Sequence, residues 1–170
     1  GKSSLINAIA GQEVAIVSDI PGTTTDPVKK SIEVFGIGPV VFVDTAGIDD
    51  TGEMGEKRIR KTNEVVKTID VAVLVISENT FGEPEEKWIK DLVFYAIPFV
   101  IVHNKSDKEV LSDELKKRLL GFKVPVLECS TFQKSGMDEL VNALVKITPS
   151  SAYVSNSFVG DIVEPGALVV

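Results

Sequence analysis

The amino-acid sequence predicts an α/β fold, a mostly parallel sheet with helices on both faces. Short runs rich in β-branched residues are apolar at nearly every position, which is typical of strands covered on both faces. These runs are Val40–Val43, Val71–Ile76, Phe99–Val102 and Val124–Leu127. Segments with helical spacing lie between the runs, and strands that alternate with helices favour parallel pairing.

The first predicted element is a helix that starts at the beginning of the chain. Its apolar face is formed by Leu5, Ile6, Ile9 and Ala10. A hairpin follows, because Lys30–Phe35 and Val40–Val43 flank the turn formers at 36–39. We expect the first strand of this hairpin to be the one antiparallel strand, at the edge of the sheet.

Two later helices follow from the same spacing rule. Apolar residues recur on one face of each segment. The first face consists of Trp88, Ile89, Leu92, Val93 and Ala96, and the second of Leu140, Ala143, Leu144 and Ile147.

The composition excludes several classes of protein. The chain has 170 residues, 44% hydrophobic and 25% charged, which is typical of a globular domain. Its net charge of −7 argues against a nucleic-acid partner, since that binding depends on cationic neutralisation of phosphates. The single cysteine, Cys129, and the single histidine, His103, exclude a disulfide framework, an iron–sulfur cluster and a multi-histidine metal site within this chain.

The apolar runs are too short to cross a membrane. The run Ile97–Val102 is far below the roughly 20 residues that a spanning helix needs. The start of the chain lacks the basic and apolar stretches of a signal peptide. We therefore expect a cytoplasmic protein without a membrane partner.

The end of the chain departs from the alternating pattern. Ile147–Ser151 stops the last helix, and a polar stretch leads to Gly160–Val170, which is apolar again. We expect residues 1–148 to form one domain, and residues 149–170 to form a linker and the start of a following domain.

The chain opens on residues suited to phosphate. Gly1, Lys2 and Ser3, followed by Ser4, match the end of the phosphate-binding pattern G-x-x-x-x-G-K-S/T. A helix that begins here offers unpaired N–H groups and the positive end of its dipole to phosphate oxygens. Lys2 would reach the β- and γ-phosphates, and the Ser3 hydroxyl would bind Mg²⁺. Alone, the motif also fits an ordinary polar helix start.

A second motif, Asp44-Thr45-Ala46-Gly47, follows the strand Val40–Val43. Ligands bind at the carboxyl ends of strands in open α/β sheets. Asp44 can hold a water bound to Mg²⁺ there, and the Gly47 amide can face a γ-phosphate. A simple strand-ending turn would use the same residue types.

A third motif, Asn104-Lys105-Ser106-Asp107, follows the strand Phe99–Val102. The Asp107 carboxylate can accept hydrogen bonds from N1–H and the 2-amino group of guanine. Adenine lacks both donors and would leave the carboxylate unpaired. Asn104 would tie the loop to its neighbours, and the Lys105 stem would cover the base. A loop of turn formers is the alternative.

Two weaker segments complete the set. Cys129-Ser130-Thr131 follows a strand, and Ser130 or Thr131 can give a backbone N–H to the guanine oxygen. Gly22-Thr23-Thr24-Thr25-Asp26 lies between the first helix and the hairpin, and Thr24 can complete the Mg²⁺ shell. A merely polar loop would have the same composition.

The order of these motifs resembles the translation-factor-like GTPases, and more narrowly the Era-like and TrmE-like branch. Thr25-Asp26-Pro27-Val28, Gly38-Pro39-Val40 and Asp49-Asp50 resemble the G domain of the FeFe-hydrogenase maturation GTPases, the HydF family. The resemblance implies a P-loop NTPase G domain whose first strand and first phosphate-loop residues are missing from this chain. It also implies a following dimerisation domain.

The resemblance implies GTP hydrolysis with Mg²⁺ held by Ser3, Thr24 and Asp44. Ile48 stands where small signalling GTPases have a water-orienting glutamine, so we expect slow turnover that K⁺ stimulates in the complete protein. By position, the carbonyls of Ser18, Ile20 and Thr23 would face K⁺. Lys2, Thr24, Gly47 and Glu53 are the expected catalytic residues, although an acidic solvated loop around Glu53 is the alternative.

The resemblance also implies partners. They are GTP or GDP, downstream dimerisation and iron–sulfur domains, other hydrogenase maturases and the hydrogenase itself. The single Cys129 leaves this chain without an iron–sulfur cluster. Two alternatives remain open: a GTPase of tRNA modification or ribosome assembly, and a GTP-dependent binding module with negligible turnover.

Overall fold

The computed structural model describes residues 1–11, 15–19, 28–34, 36–44, 66–153 and 167–169. The helices are α1 (Lys2–Ala10), α2 (Glu83–Phe94), α3 (Asp113–Leu120) and α4 (Met137–Ile147), followed by a short 3-10 helix (Ser150–Tyr153). The strands are β1 (Ala15–Asp19), β2 (Val28–Val34), β3 (Gly38–Asp44), β4 (Ile69–Ile76), β5 (Phe99–His103), β6 (Val126–Glu128) and β7 (Ala167–Val169).

The strands form one sheet in the order β1-β2-β3-β7-β4-β5-β6. From β3 to β6 in this order, each strand pairs parallel with the next, and β2 pairs antiparallel with both β1 and β3, so among the described strands it alone runs in the opposite direction. In the parallel part, Ile101 lies opposite Leu74 on one side and Val126 on the other. The mostly parallel sheet predicted from the apolar runs is confirmed.

The predicted hairpin is present as β2 and β3, but its first strand is not at the edge. The turn is closed by the Ile37 N–H, which donates to the Val34 oxygen at 3.0 Å. Strand β1 pairs antiparallel along the outer side of β2, from Ala15 opposite Val34 to Asp19 opposite Lys30. The edge position predicted for the antiparallel strand is therefore wrong, because a further extended segment satisfies its free backbone groups.

A strand from the end of the chain occupies the centre of the sheet. Ala167 and Val169 of β7 lie opposite Val41 and Val43 of β3. Val169 also lies opposite Ala72 of β4. The domain boundary after residue 148 stays a prediction.

Helices cover both faces of the sheet, as predicted. On one face α1 and α4 pack against the strands, with Leu5, Ile9, Leu140, Leu144 and Phe42 in the same buried cluster. On the other face α2 and α3 contribute a second cluster that contains Ile89, Leu92, Leu115, Leu119 and Ile101. Successive side chains of β5 therefore point alternately into the two apolar clusters, which explains why the sequence of this strand is apolar at nearly every position.

The apolar face of α2 is shorter than its sequence predicts. Ile89 and Leu92 are buried, but Val93 is 65% exposed. The helix ends at Phe94, and Ala96 takes a left-handed backbone with φ of 55°. Helical periodicity does not continue beyond the last turn, so the predicted contribution of Ala96 to this face is wrong.

His103, the last residue of β5, is buried without a partner for its ring. Its exposed fraction is 0%, and neither ring nitrogen has a hydrogen bond within the described residues. Burial lowers the pKa of His103, and the nearby Glu128 carboxylate opposes this only in part. The neutral imidazole is therefore the form that the folded protein keeps.

We expect the stability to fall as the pH decreases below about 6.5, where the imidazole of the unfolded chain takes up a proton. The folded chain takes up that proton only at lower pH, so the unfolded state binds more protons in this window. For one titrating group the slope has an upper limit of about 1.4 kcal/mol per pH unit. Urea unfolding across this range measures it, with His103→Leu as the comparison. Parallel pH curves for the two proteins would contradict the assignment.

Candidate nucleotide-binding site

Three of the predicted motifs meet at the carboxyl edge of the sheet. Strands β3, β5 and β6 run in the same direction, so their carboxyl ends lie at one edge. Asp44 is the last residue of β3, the loop 104–107 follows β5, and the loop 129–135 follows β6. A hydrogen bond joins Gly1, at the start of α1, to Asn104 in the loop after β5. The edge thus gathers residues that are far apart in the sequence.

Asn104 joins the motifs. It is 1% exposed, and its backbone N–H donates to the Ile76 oxygen at 2.8 Å. The side-chain Nδ2 lies 3.4 Å from the Gly1 oxygen. The side-chain oxygen accepts from the N–H of Lys105 at 2.8 Å and faces that of Thr131 at 3.4 Å. One amide therefore links the start of α1 to the loops after β5 and β6.

Ser130 holds the Asp107 carboxylate. Ser130 is fully buried, and its hydroxyl donates to Asp107 Oδ1. The Gln133 N–H donates to the same hydroxyl at 3.1 Å. Ser130 therefore fixes the orientation of the Asp107 carboxylate through one of its two oxygens.

The backbone N–H of Ser130 is not placed as predicted. It donates to the Ser135 oxygen at 3.0 Å, and the Ser135 N–H donates back to Ser130 at 3.1 Å. Ser130 therefore contributes through its side chain rather than through a backbone N–H to a guanine oxygen. The Thr131 N–H is the other donor of the predicted pair, and it makes a long contact of 3.4 Å with Asn104 Oδ1.

Cys129 packs beneath this loop and is chemically inert. Its exposed fraction is 0%, and its thiol donates to the Gly136 oxygen at 3.3 Å. Burial raises the pKa of Cys129 to about 12, with a smaller contribution from the Glu139 charge. Since the thiolate is the nucleophile and the metal ligand, this cysteine supplies neither.

The start of α1 presents an anion-binding surface. Gly1 caps the helix without a side-chain hydrogen bond, and its carbonyl accepts the N–H of Leu5 at 3.0 Å. The N–H groups of Lys2, Ser3 and Ser4 precede this first intrahelical bond. No acidic residue lies in the first turn, so the positive end of the dipole is not neutralised there.

Several predicted site residues lie outside the described residues. They are Ile20, Thr23, Thr24, Gly47 and Glu53. Ser18 lies in β1 opposite Ser31, and Asp44 lies opposite Val28. Ser3 and Asp44 carry oxygen donors, which Mg²⁺ prefers, and both lie at the carboxyl edge. The magnesium and potassium ligand sets stay predictions.

Sequence reasoning missed the turn after β4. Glu78 in this turn forms an ion pair with Lys105, at 2.8 Å between Oε1 and Nζ. The Lys105 ammonium lowers the pKa of Glu78 through a hydrogen bond and its charge. The sequence does place Glu78 and Asn79 just after the strand Val71–Ile76, at the same edge as the other motifs, and this position could have indicated that they belong to the site.

Two negative findings apply to the described ranges. Within residues 1–11, 15–19, 28–34, 36–44, 66–153 and 167–169, no group of three or more His, Cys, Asp or Glu side chains is placed to hold a metal ion. In the same part of the chain, no helix has the length and apolar character required to span a bilayer.

The chain matches a known protein family. The model of the 50S ribosome-binding GTPases (MMR_HSR1) matches residues 1–105. The tRNA modification GTPase MnmE of Nitrosomonas europaea is 36% identical over 147 residues, covering 86% of this chain and 32% of that protein. MnmE of Bacillus pumilus is 35% identical over 168 residues, covering 92% and 36%. The chain thus spans about a third of the length of these curated relatives.

Solved structures share the fold. Era in complex with MgGDPNP and a segment of 16S ribosomal RNA has a TM-score of 0.70 at 23% identity, covering 97% of this chain and 55% of that chain. A variant of Aquifex aeolicus Era bound to GDP and aluminium fluoride has a TM-score of 0.69 at 24% identity, covering 88% and 54%. A probable GTP-binding protein engB has a TM-score of 0.65 at 20% identity, covering 87% and 92%. At these identities the similarity shows the fold alone.

Proposed function

This chain belongs to the family of 50S ribosome-binding GTPases, and from that membership we propose that it is the switch domain of a tRNA-modification GTPase. It is a GTPase G domain that binds and hydrolyses GTP. The finer assignment draws on the MnmE proteins, which are 36% and 35% identical to the chain. The structural observation that supports the nucleotide site is the junction at Asn104, whose side chain contacts both Gly1 and Thr131.

The proposed base site is built around Asp107. Ser130 orients its carboxylate, which would accept hydrogen bonds from N1–H and the 2-amino group of guanine. A carboxylate that a bound base shields from water but leaves without these donors carries a desolvation cost, so the site would select guanine over adenine. The guanine oxygen would compete with Asn104 Oδ1, which lies 3.4 Å away, for the Thr131 N–H, and the Lys105 stem would cover the base.

The proposed phosphate site is the start of α1. Lys2 would place a positive charge at the β- and γ-phosphates, and the helix N–H groups would bind their oxygens. Ser3, Thr24 and Asp44 would hold Mg²⁺, either directly or through a bound water, and the Gly47 amide would face the γ-phosphate. Bound Mg²⁺ neutralises charge that develops on the phosphates. The protein residues then act by positioning, which is what phosphoryl transfer chiefly requires.

Water activation is proposed to depend on potassium. Isoleucine at position 48 cannot orient a water molecule, since its side chain has no polar atom. Carbonyls of Ser18, Ile20 and Thr23 would hold K⁺ beside the phosphates, and Glu53 would help to position water. Turnover is expected to be slow without this ion.

The domain itself is not the proposed tRNA-binding surface. Its net charge of −7 opposes contact with phosphate backbones. We therefore place tRNA contact in a further domain of the protein. Residues 1–148 are proposed as the G domain, and the sheet of this domain also includes β7 (Ala167–Val169) from the segment 149–170. The nucleotide state would reach that domain through the segments around Asp19–Asp26 and Ile48–Gly55.

A second candidate function is hydrogenase maturation. The motifs Thr25–Val28, Gly38–Val40 and Asp49–Asp50 favour it. It ranks second because the curated relatives above are tRNA modification GTPases. In this case the rest of the protein would supply the dimerisation domain and the cysteines of a 4Fe–4S cluster. The purified full-length protein distinguishes the two: an iron–sulfur absorption band favours maturation, and tRNA binding favours modification.

The proposed catalytic function is tested by single-turnover GTP hydrolysis in the full-length protein. We expect faster hydrolysis in KCl than in NaCl at equal ionic strength. Lys2→Ala is the comparison, and we expect it to lose hydrolysis in both salts because the phosphates lose their cation. Equal rates in the two salts would contradict the potassium role. Hydrolysis no faster than in buffer would leave a GTP-dependent binding module.

A further inference from the structure

We infer that Glu78 is a positioning residue for guanine recognition, because it holds the Lys105 side chain beside Asp107 through the ion pair between the loops after β4 and β5. The inference rests on the proposed base site at Asp107 and adds a residue outside the recognised motifs. Three features support it: the backbone of the turn after β4, the contacts that anchor this turn, and the contacts at the backbone and the ammonium of Lys105.

The turn after β4 is held in an unfavourable backbone conformation. Glu78 and Asn79 both have positive φ, 57° and 48°. Non-glycine residues rarely take this left-handed conformation, and two in succession require support from the surroundings. The turn is closed by the Thr80 N–H, which donates to the Ser77 oxygen at 3.0 Å. This geometry places the Glu78 carboxylate towards the loop after β5.

Asn79 supplies the support. Its Nδ2 donates to Glu109 Oε1 at 2.7 Å and to the Val110 oxygen at 3.1 Å. Its Oδ1 accepts the Ser112 N–H at 2.9 Å. All three partners lie on the chain that leads from the Asp107 loop into α3. The turn after β4 is thereby attached to the same segment that carries the base-binding residues.

Lys105 is held at both ends. Its backbone has φ of 63°, its N–H donates to Asn104 Oδ1 at 2.8 Å, and its carbonyl accepts the Lys108 N–H at 2.9 Å. Its ammonium lies 2.8 Å from Glu78 Oε1. With both ends held, the aliphatic stem between them follows one course, two residues from Asp107.

A lysine that is already ordered binds a base at lower entropic cost than a free one. Long charged side chains lose much rotamer freedom when they are immobilised against a ligand. Glu78 orders Lys105 before the nucleotide arrives, and the stem can cover an apolar surface while the ammonium keeps its ionic partner. The effect concerns the base, so it is the same for GDP and GTP and leaves the chemical step unchanged.

The test is a double-mutant cycle in the full-length protein with Glu78→Gln, Lys105→Met and both together. Dissociation constants for GDP and GTP are measured by calorimetry at low and high salt, and kcat at saturating GTP. We expect Glu78→Gln to weaken both nucleotides by the same factor, about two- to fivefold, with kcat unchanged. The loss shrinks at high salt. It is absent when Lys105 is already methionine.

Glu86→Gln is the matched control. It removes a comparable ion pair, with Arg118 between α2 and α3, and we expect no change in nucleotide affinity. Unchanged or tighter binding in Glu78→Gln would overturn the inference, as would an equal loss in the Lys105→Met background. If the unmodified protein bound no guanine nucleotide, the proposed base site itself would be wrong.

Discussion

Asp107→Asn is expected to change the preferred base from guanine to xanthine. The asparagine side chain offers one oxygen and one amino group where aspartate offered two oxygens. Ser130 favours the amide oxygen at the Oδ1 position, because its hydroxyl donates there while it accepts the Gln133 N–H. The amino group then replaces the oxygen that accepted the 2-amino group of guanine, so it matches the carbonyl at C2 of xanthine, while the amide oxygen still accepts N1–H.

The expected loss of GTP affinity is about a hundredfold or more, because a built hydrogen-bonding site is left unpaired by the wrong base. Xanthosine triphosphate should bind the variant more tightly than it binds the unmodified protein. Competition against a fluorescent guanine nucleotide measures both. Asp113→Asn, in the first turn of α3, is the control and should keep the preference for GTP. A retained preference for GTP in the Asp107 variant would show that the base is recognised elsewhere.

Gly136→Ala is expected to damage the loop that carries Ser130 and Thr131. Gly136 has φ of 75°, a conformation that costs L-residues about 1–2 kcal/mol. A Cβ there would also lie 2.3 Å from the Glu128 oxygen and 3.0 Å from Cys129 Sγ. The Glu128 oxygen is a backbone atom at the end of β6, so relief requires the strand end or the loop to move.

We expect this variant to lose about 3 kcal/mol or more of the free energy of unfolding. It should also bind GDP more weakly, because Ser130 can no longer hold Asp107. Gly38→Ala is the matched control, since Gly38 has φ of 97° but no atom within 4 Å of an added Cβ. Strain alone predicts a loss of about 1–2 kcal/mol there. Urea unfolding measures both free energies of unfolding. Equal losses in the two variants would show that the contact of the added Cβ with the Glu128 oxygen has no effect.

Residue patterns predicted the parallel sheet, the two helical layers and the edge at which the motifs lie. These features depend on local periodicity and on the direction of parallel strands, both of which are readable one segment at a time. Ser130 or Thr131 was predicted to contribute a backbone N–H, whereas Ser130 holds Asp107 through its hydroxyl. Whether Ser130 acts through its backbone or its side chain depends on Ser135, because the Ser130 N–H donates to the Ser135 oxygen.

Strand neighbours were less predictable than strand existence. Nothing in the segment Ala15–Asp19 distinguishes an edge strand from an irregular connection, since pairing depends on a partner elsewhere in the chain. The same holds for Ala167–Val169, three residues that pair with both β3 and β4. Short strands carry too few residues for a period to appear, and only the free backbone groups of their neighbours define their place.

The amino-acid sequence by itself determined the fold class, the order of the motifs and the chemistry each can perform, because these depend on residue types at fixed spacing. Only the tertiary structure decided which residues act together. Asn104 lies 103 residues from Gly1, and Glu78 lies 27 residues from Lys105. Such contacts depend on how the loops after separate strands approach one another, and no local pattern in the chain encodes that distance.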